Sequence, residues 1–357
     1  MKNRKVKFGM LGCGRVAEHY RIMLNEIDPI ESIDIVACCD IDKVKAKNMS
    51  IAFQCNSYYS YSDMLNSEEI DVVLIMTPSG DHFSNAKYAL NHGINVLIEK
   101  PITMRVGEAI ELGKFSKKRG LICASIFQNR YNPAIVELKN AMESDRFGKI
   151  ISASIRLRWC RYQDYYEDGW HGTWAKDGGV INQQAIHHID ALNWICGPVK
   201  STVAKMKNRL NNLEAEDTMV ALVNFSNGSV GTIETTTAAR PKDFEASLSV
   251  VGEKGTVQIG GIALNKIDEW FFIDKLEIDD NIRTLCDEEV PTGYGLSHTR
   301  QLREFIDCFL TGSIDAPVSV EDCIPTIQLI HALYASVEDN SWVELANKPK
   351  SMRLGIG

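Results

Sequence analysis

Between the apolar run Val6–Leu11 and an amphipathic stretch that begins at Val16, the chain carries Gly12-Cys13-Gly14-Arg15-Val16-Ala17. Glycines at this spacing, directly after a strand and at the mouth of a helix, read as a dinucleotide-binding turn. Gly12 permits the tight turn, Gly14 lets the backbone approach a pyrophosphate, and the small Ala17 allows helix and strand to pack closely. The helix N-terminus then offers N–H donors and partial positive charge to the phosphates. Gly12, Gly14, Arg15 and Val16 are therefore candidate cofactor-binding residues. The plainer alternative is a glycine turn without a ligand.

The pattern around that turn repeats. Ile33–Cys39, Asp71–Met76, Asn95–Ile98 and Leu121–Phe127 read as further strands, and Val16–Ile27, Lys43–Phe53, His82–His92 and Val106–Arg119 as helices. Near-continuous apolar strands spaced by helices predict a parallel sheet covered on both faces. Beyond residue 150 the texture changes. Ile150–Trp159, Ser201–Arg209, Thr218–Phe225, Val230–Thr237, Glu245–Val251 and Thr256–Ile259 read as strands, interrupted by one helix over Val180–Cys196. Asn227-Gly228 marks a hairpin, and the close succession of strands predicts a mostly antiparallel sheet. Helices at Thr299–Leu310 and Cys323–Val337 close the chain. The expected fold is an α/β Rossmann domain over residues 1–128, then an α+β domain over 129–357, with the last helices able to pack back on the first domain.

A length of 357 residues suits two domains, and 45% hydrophobic with 24% charged residues are values of a soluble globular protein. No apolar run approaches the ~20 residues that span a bilayer. Met1–Met10 lacks the long apolar stretch of a signal peptide. The net charge of −8 argues against nucleic acid as a partner. Ten cysteines occur without a CxxC pair or zinc-like spacing, so no metal is expected. Reduced, mostly buried thiols in a cytoplasmic protein are the simple reading.

Asp40 ends the second strand, where a carboxylate accepts hydrogen bonds from ribose hydroxyls and repels a 2′-phosphate. Asp42 adds to that repulsion, so NAD is favoured over NADP; the alternative role of Asp40 is a helix N-cap. Thr77-Pro78 ends another strand at the crevice edge, as a nucleotide contact or an ordinary turn. Glu99-Lys100-Pro101 follows Asn95–Ile98, so Lys100 leaves the carboxyl edge of the sheet in an extended or turn conformation set by Pro101, with a cis bond one option. A lysine partly desolvated beside a cationic nicotinamide has a lowered pKa and can act as acid or base. The alternative is a Lys–Glu surface pair. In Asp177-Gly178-Gly179…Asp190, the residues Gln183, His187 and Asp190 recur at helical spacing and share a face. His187 is then a candidate proton donor or acceptor with Gln183 orienting a substrate, or a structural histidine.

These pieces resemble the Gfo/Idh/MocA oxidoreductase family in the order glycine turn, Thr77-Pro78, Glu99-Lys100-Pro101 and Gly178-Gly179…His187. The resemblance implies NAD(P) hydride transfer on a sugar or inositol ring carbon, with Lys100 and His187 as acid/base groups. It also implies an open second-domain sheet that pairs subunits into dimers or tetramers. Many members carry Asp four residues before the histidine; here Gln183 stands there and cannot shuttle a proton. In that respect the chain is similar to the UDP-N-acetylglucosaminuronate 3-dehydrogenase branch of surface-polysaccharide biosynthesis. Gln128-Asn129-Arg130, Arg156–Trp159, the Tyr165-Tyr166…Trp174 run and Tyr294-Gly295…His298 extend that likeness.

The resemblance implies Thr77, Pro78, His82, Glu99, Lys100 and Gln128 as further cofactor-binding residues. It implies Asn129, Arg130, Tyr166, Trp174, Asn182, Tyr294 and His298 around a sugar nucleotide. Arg156 and Arg158 share a strand face and suit a carboxylate or pyrophosphate, or else a solvent-facing edge. The loop aromatics suit sugar or uracil faces, or simply pack under the loop. Lys205, Lys207 and Arg209 alternate on one strand and read as solvated. The reading that results is oxidation of the 3-hydroxyl of a UDP-N-acetylhexosaminuronate-type sugar by NAD. The alternatives are an inositol or free-sugar dehydrogenase, and an NAD-binding sensor without chemistry.

Overall fold

The computed structural model describes residues 4–356. The chain divides into two compact units, one ending at Ile126 and rejoined by His298–Ile324, the other formed by Phe127–Ser297 and the chain from Pro325 onward.

In the first unit, strands β1 (Val6–Leu11), β2 (Ile33–Cys39), β3 (Asn56–Tyr58), β4 (Val72–Ile75), β5 (Asn95–Ile98) and β6 (Cys123–Ser125) pair in parallel, in the order β3-β2-β1-β4-β5-β6. Order reverses between β1 and β4, and such a switch point is where open α/β sheets bind ligands. Helices α1 (Arg15–Ile22), α2 (Lys43–Phe53), α3 (Tyr61–Ser67), α4 (His82–Asn91) and α5 (Val106–Arg119) connect them. The expected helix over Val16–Ile27 ends sooner, because Met23–Ile27 widens into a π-helical turn. β3 and α3 escape sequence reading: Asn56-Ser57-Tyr58 is too short and polar for a strand signal. Phe8, Met10, Tyr20, Leu74 and Leu97 fill the core.

The second unit opens with α6 (Pro133–Glu143) and builds an eight-stranded sheet. β7 (Ile150–Arg158) precedes α7 (Val180–Gln183) and α8 (Ile186–Cys196). There follow β8 (Val199–Lys207), β9 (Thr218–Phe225), β10 (Val230–Thr236), β11 (Glu245–Gly252), β12 (Gly255–Gly260), β13 (Lys266–Phe272) and the short α9 (Ile282–Cys286). Sheet order is β13-β12-β11-β7-β10-β9-β8-β14, with β14 at Val343–Glu344, and all pairs are antiparallel except β7 with β10. Asn227-Gly228 turns β9 into β10, with Gly228 at φ +90°.

One face of this sheet, bearing Ile155, Leu157, Ala221, Val223 and Ile233, is buried under α7 and α8. The other face is open and carries Ser154, Arg156 and Arg158 beside Thr232, Val220 and Leu222, the last two half exposed.

Helix α10 (His298–Thr311) belongs to the first unit: Leu302, Phe305 and Ile306 enter its core, and Arg303 grips Asp28 with two 2.6 Å bonds. The division of the chain falls within α11 (Val320–Asp339), at Pro325.

Candidate active site

The glycine turn is built as its residues require. Gly12 has φ +94°, and a Cβ there would lie 2.6 Å from the Met76 carbonyl oxygen, so only glycine fits. Around Gly14 a Cβ would meet nothing within 4 Å, which leaves open space before the first turn of α1. Asp40 Oδ2 accepts from the Cys13 N–H at 2.7 Å and Oδ1 from the Asp42 N–H at 2.8 Å. The N-cap of α2 is Asp42, whose carboxylate takes Val44 N–H and Lys45 N–H at 2.9 and 3.3 Å. Asp40 thus braces the turn from the end of β2. A bare turn, an open helix start and an adjacent carboxylate fit a dinucleotide.

Thr77 and Pro78 follow β4, and the Thr77 hydroxyl accepts from Asn85 Nδ2 at 3.1 Å. His82, an expected cofactor contact, is buried at the start of α4. Its ring stands between the carbonyl oxygens of Pro101 and Thr77, at 2.7 and 2.8 Å, and as a neutral imidazole donates to one of them. Burial holds its pKa below the ordinary histidine value.

Lys100 leaves β5 half-buried, its bond to Pro101 cis. Behind it Glu99 is 5% exposed. Glu99 Oε1 accepts from the Tyr20 hydroxyl at 3.0 Å and Oε2 from the Lys100 N–H at 3.2 Å. Burial raises the Glu99 pKa, while the Lys100 charge pulls it back. Burial also keeps the Tyr20 hydroxyl protonated, hence a donor.

His298, expected beside a substrate, is instead fully buried in this unit, 3.2 Å from His19 and 4.0 Å from Glu99. Burial holds both histidines neutral, with His19 lowered to about 4, so the approach to Glu99 is no ion pair. Tyr20 and His19 were missed by sequence reading. They are ordinary-looking residues of α1 whose role depends on β5 and α10.

In the second unit the expected single helix is broken. α7 ends at Gln183, and α8 begins at Ile186 after Ala185 departs to φ −85°, ψ −5°. A buried carboxyl group seats α7. Glu216 Oε1 accepts from the Ile181 N–H at 3.2 Å and from the Tyr334 hydroxyl at 3.1 Å, and that hydroxyl accepts from the Gly179 N–H at 3.0 Å. A Cβ on Gly179 would lie 2.2 Å from Glu216 Cδ, which explains the second glycine of the pair. Burial raises the Glu216 pKa to about 8. Glu216 and Tyr334 were not found from sequence; an acid pair, Glu216-Asp217, at the mouth of a strand was the available signal.

His187, in the first turn of α8, is half-buried, with Gln128 Nε2 3.5 Å from its Nε2 and the Phe127 ring edge-on at 5.7 Å. Its neighbour His188 is 1% exposed against Trp159, and burial lowers its pKa to about 3. Only His187 of the two is therefore accessible. Gln128, Asn129, Asn182 and Gln183 are buried in this same unit, and Asn182 Nδ2 donates to the Asp177 carbonyl at 2.6 Å.

Several expected ligand contacts have partners within the chain. Arg130 is bound bidentately to Asp190 at 2.7 Å, so the third residue of the face shared with Gln183 and His187 is held in a buried ion pair. Arg158 bonds Glu234 at 2.7 Å and Glu245 at 3.0 Å, and Arg156 lies 3.8 Å from each. Both stand on the open face of an interior strand, opposite the face that α8 covers. The two arginines face outward, as the solvent-facing alternative expected, but β7 is an interior strand and not an edge. Trp174 packs edge-on to Tyr334 at 5.1 Å, and the Tyr166 hydroxyl pairs with Thr237 Oγ1 at 2.8 Å. Tyr165 packs on Tyr166 and His171, so these aromatics largely pack on one another. Tyr294 is 38% exposed.

The glycine turn, the lysine after β5 and the accessible histidine define a class, and matching family models agree. Residues 6–127 match the oxidoreductase family NAD-binding Rossmann fold, and residues 139–345 its C-terminal alpha/beta domain. The chain belongs to the Gfo/Idh/MocA oxidoreductase family and is an NAD-dependent dehydrogenase.

Among solved structures it is similar to the WlbA dehydrogenase of Bordetella pertussis in complex with NADH and UDP-GlcNAcA: 32% identity, TM-score 0.90, covering 96% of this chain and 99% of that one. The WlbA dehydrogenase of Chromobacterium violaceum, with the same two ligands, matches at 30% and 0.88, covering 96% and 97%. An uncharacterized oxidoreductase of Synechocystis is 29% identical over 60% of either chain. The inositol 2-dehydrogenase of Salmonella typhimurium is 25% identical over 72% of this chain and 75% of its own.

Proposed function

We propose that this dehydrogenase oxidises the 3-hydroxyl of a UDP-N-acetylhexosaminuronate-type sugar nucleotide, with Lys100 and His187 as its acid/base groups. The observation that carries the substrate class is likeness over 96% of the chain to two dehydrogenases whose structures hold UDP-GlcNAcA. Bound NAD supplies the hydride acceptor. Lys100 hydrogen-bonds the reacting oxygen and takes its proton, and its ammonium meets oxyanion charge as it develops. His187 assists, half-buried and the accessible one of two adjacent histidines. Gln183 orients the sugar without exchanging a proton. Gly12, Gly14, Arg15 and Val16 hold the pyrophosphate, and Asp40 the ribose. In the ketone-reducing direction the same groups exchange roles.

A nucleotide-sugar substrate supports a cytoplasmic location for the reaction. The half-exposed Val220, Leu222 and Val230 on the open sheet face support pairing of copies through that face into a dimer or tetramer.

The test is growth of reduced-nicotinamide absorbance when the protein meets NAD⁺ with UDP-GlcNAcA, UDP-GlcNAc or free inositol. The proposal expects turnover of the UDP-uronate above the other two. Preferential turnover of inositol would establish the rival reading favoured by the inositol dehydrogenase relatives, and NAD binding without turnover of any sugar would leave a sensor.

A further inference from the structure

Behind the glycine turn two thiols meet, and a third bonds the chain one residue away. Cys38, at the inner end of β2, is fully buried, and its sulfur lies 3.5 Å from that of Cys55. The Cys13 thiol, inside the turn itself, donates to the Cys39 carbonyl at 3.7 Å, next to Cys38 in the chain. All three are free.

Cys55 is fixed in place by the end of α2. Gln54 adopts a left-handed conformation at φ +54°, its N–H bonds the Ile51 carbonyl, and the Cys55 N–H bonds the Ser50 carbonyl at 2.9 Å. The chain then enters β3, whose Ser57 pairs with Cys38. Cys55 and Ser57 share one face of the pleat, which makes Cys55 the diagonal neighbour of Cys38. Cys55 is half-buried, so a small oxidant reaches its sulfur, whereas Cys38 is sealed.

We propose that Cys55 and Cys38 form a dithiol that a hydroperoxide closes to a disulfide, and that closure weakens the dinucleotide site. The Cys55 thiolate attacks a peroxide oxygen, the O–O bond breaks, and water leaves with a solvent proton. Cys55 is then a sulfenic acid. The Cys38 sulfur displaces that hydroxyl, whose oxygen departs as water with the Cys38 proton, and the S–S bond forms. Two thiols and one hydrogen peroxide give one disulfide and two waters; the sulfurs lose two electrons and the peroxide gains them. The roles follow from environment. A hydrogen bond from Cys38 lowers the Cys55 pKa, while its thiol neighbours and burial raise that of Cys38, so Cys55 is the attacking sulfur.

Closure must bring the sulfurs from 3.5 Å to about 2.05 Å. Movement of Cys38 pulls on Cys39, whose carbonyl takes the Cys13 thiol, and on Asp40, two residues beyond Cys38, whose carboxylate holds the Cys13 N–H. In a close-packed interior that shift reaches both the turn and the ribose-binding acid.

The experiment treats the full chain with graded hydrogen peroxide, blocks remaining thiols, maps cross-linked peptides by mass spectrometry and measures NADH affinity by fluorescence. The expected result is a Cys38–Cys55 cross-link, a Kd for NADH raised about tenfold and reversal of both by dithiothreitol. By linkage, saturating NADH shifts the dithiol–disulfide equilibrium towards the dithiol, so a smaller share is cross-linked at equilibrium in a glutathione redox buffer. Cys55→Ser and Cys55→Ala, at a half-buried position, keep their NADH affinity under the same peroxide. The proposal is overturned if no cross-link forms, if Cys38 joins Cys13 instead, or if the cross-link forms and NADH affinity stays unchanged.

Discussion

In the first unit Lys100 leaves the end of a buried parallel strand, and the residues behind it are fixed by the sheet. In the second, His187 stands just past a break between two short helices, and the piece before the break is seated by one carboxyl group, that of Glu216. A strand end holds a side chain through ladder bonds on either side. A four-residue helix has almost no stability of its own and needs an external anchor. The contrast teaches where each half is vulnerable: damage to the first unit shows in cofactor binding and turnover, whereas damage around α7 and α8 shows first in stability.

The sharpest way to break that contrast lies at Arg130–Asp190. Their side chains are 10% and 2% exposed, so Asp190→Ala leaves a buried guanidinium uncompensated and costs about 3–5 kcal/mol. Denaturant unfolding reads this directly, and a paired Arg130→Met/Asp190→Leu variant recovers much of it. Gly179→Ala comes next, at about 1–3 kcal/mol, because the new Cβ collides with both Glu216 and its backbone. NADH affinity should stay at the wild-type value in that variant; a matching loss of affinity would contradict the division of labour.

The Glu216 carboxyl gives a pH signature. Its folded pKa of about 8 lies above an unfolded value near ~4.3, so the folded state holds one more proton between them. Its contribution is therefore fully present at the acid end and is lost as pH rises through the folded pKa. Thermal melts of wild type against Glu216→Gln should diverge in favour of the variant as pH rises, and parallel curves would mean an ionised Glu216. The smallest effect belongs to the first unit: Asp42→Ala removes the α2 N-cap and costs about 1 kcal/mol.

Much of the first unit was legible because each strand–turn–helix signal is local. Gly12, Gly14 and Lys100 fall just past the strand ends, where the chain order put them, and Asp40 follows β2 although it stands beyond the ~20-residue spacing usual for a ribose-binding acid. The second unit was legible as a sheet but less so as a site. Gln183, His187 and Asp190 keep helical spacing, yet Ala185 breaks the helix and Arg130, from a distant segment, claims Asp190. Arg156 and Arg158 share a face as read, but sequence does not say which face α8 covers. Nor does it tell that Glu234 and Glu245, on strands paired to β7, would meet them. His298 and Glu216 depend wholly on tertiary burial.

The central claim is that Lys100 performs the proton transfer. Turnover of UDP-GlcNAcA by Lys100→Ala, with NADH affinity measured on the same sample, tests it most directly. Turnover should fall by on the order of 10²–10⁴ while the dinucleotide still binds. Near-normal turnover with NADH bound would contradict it.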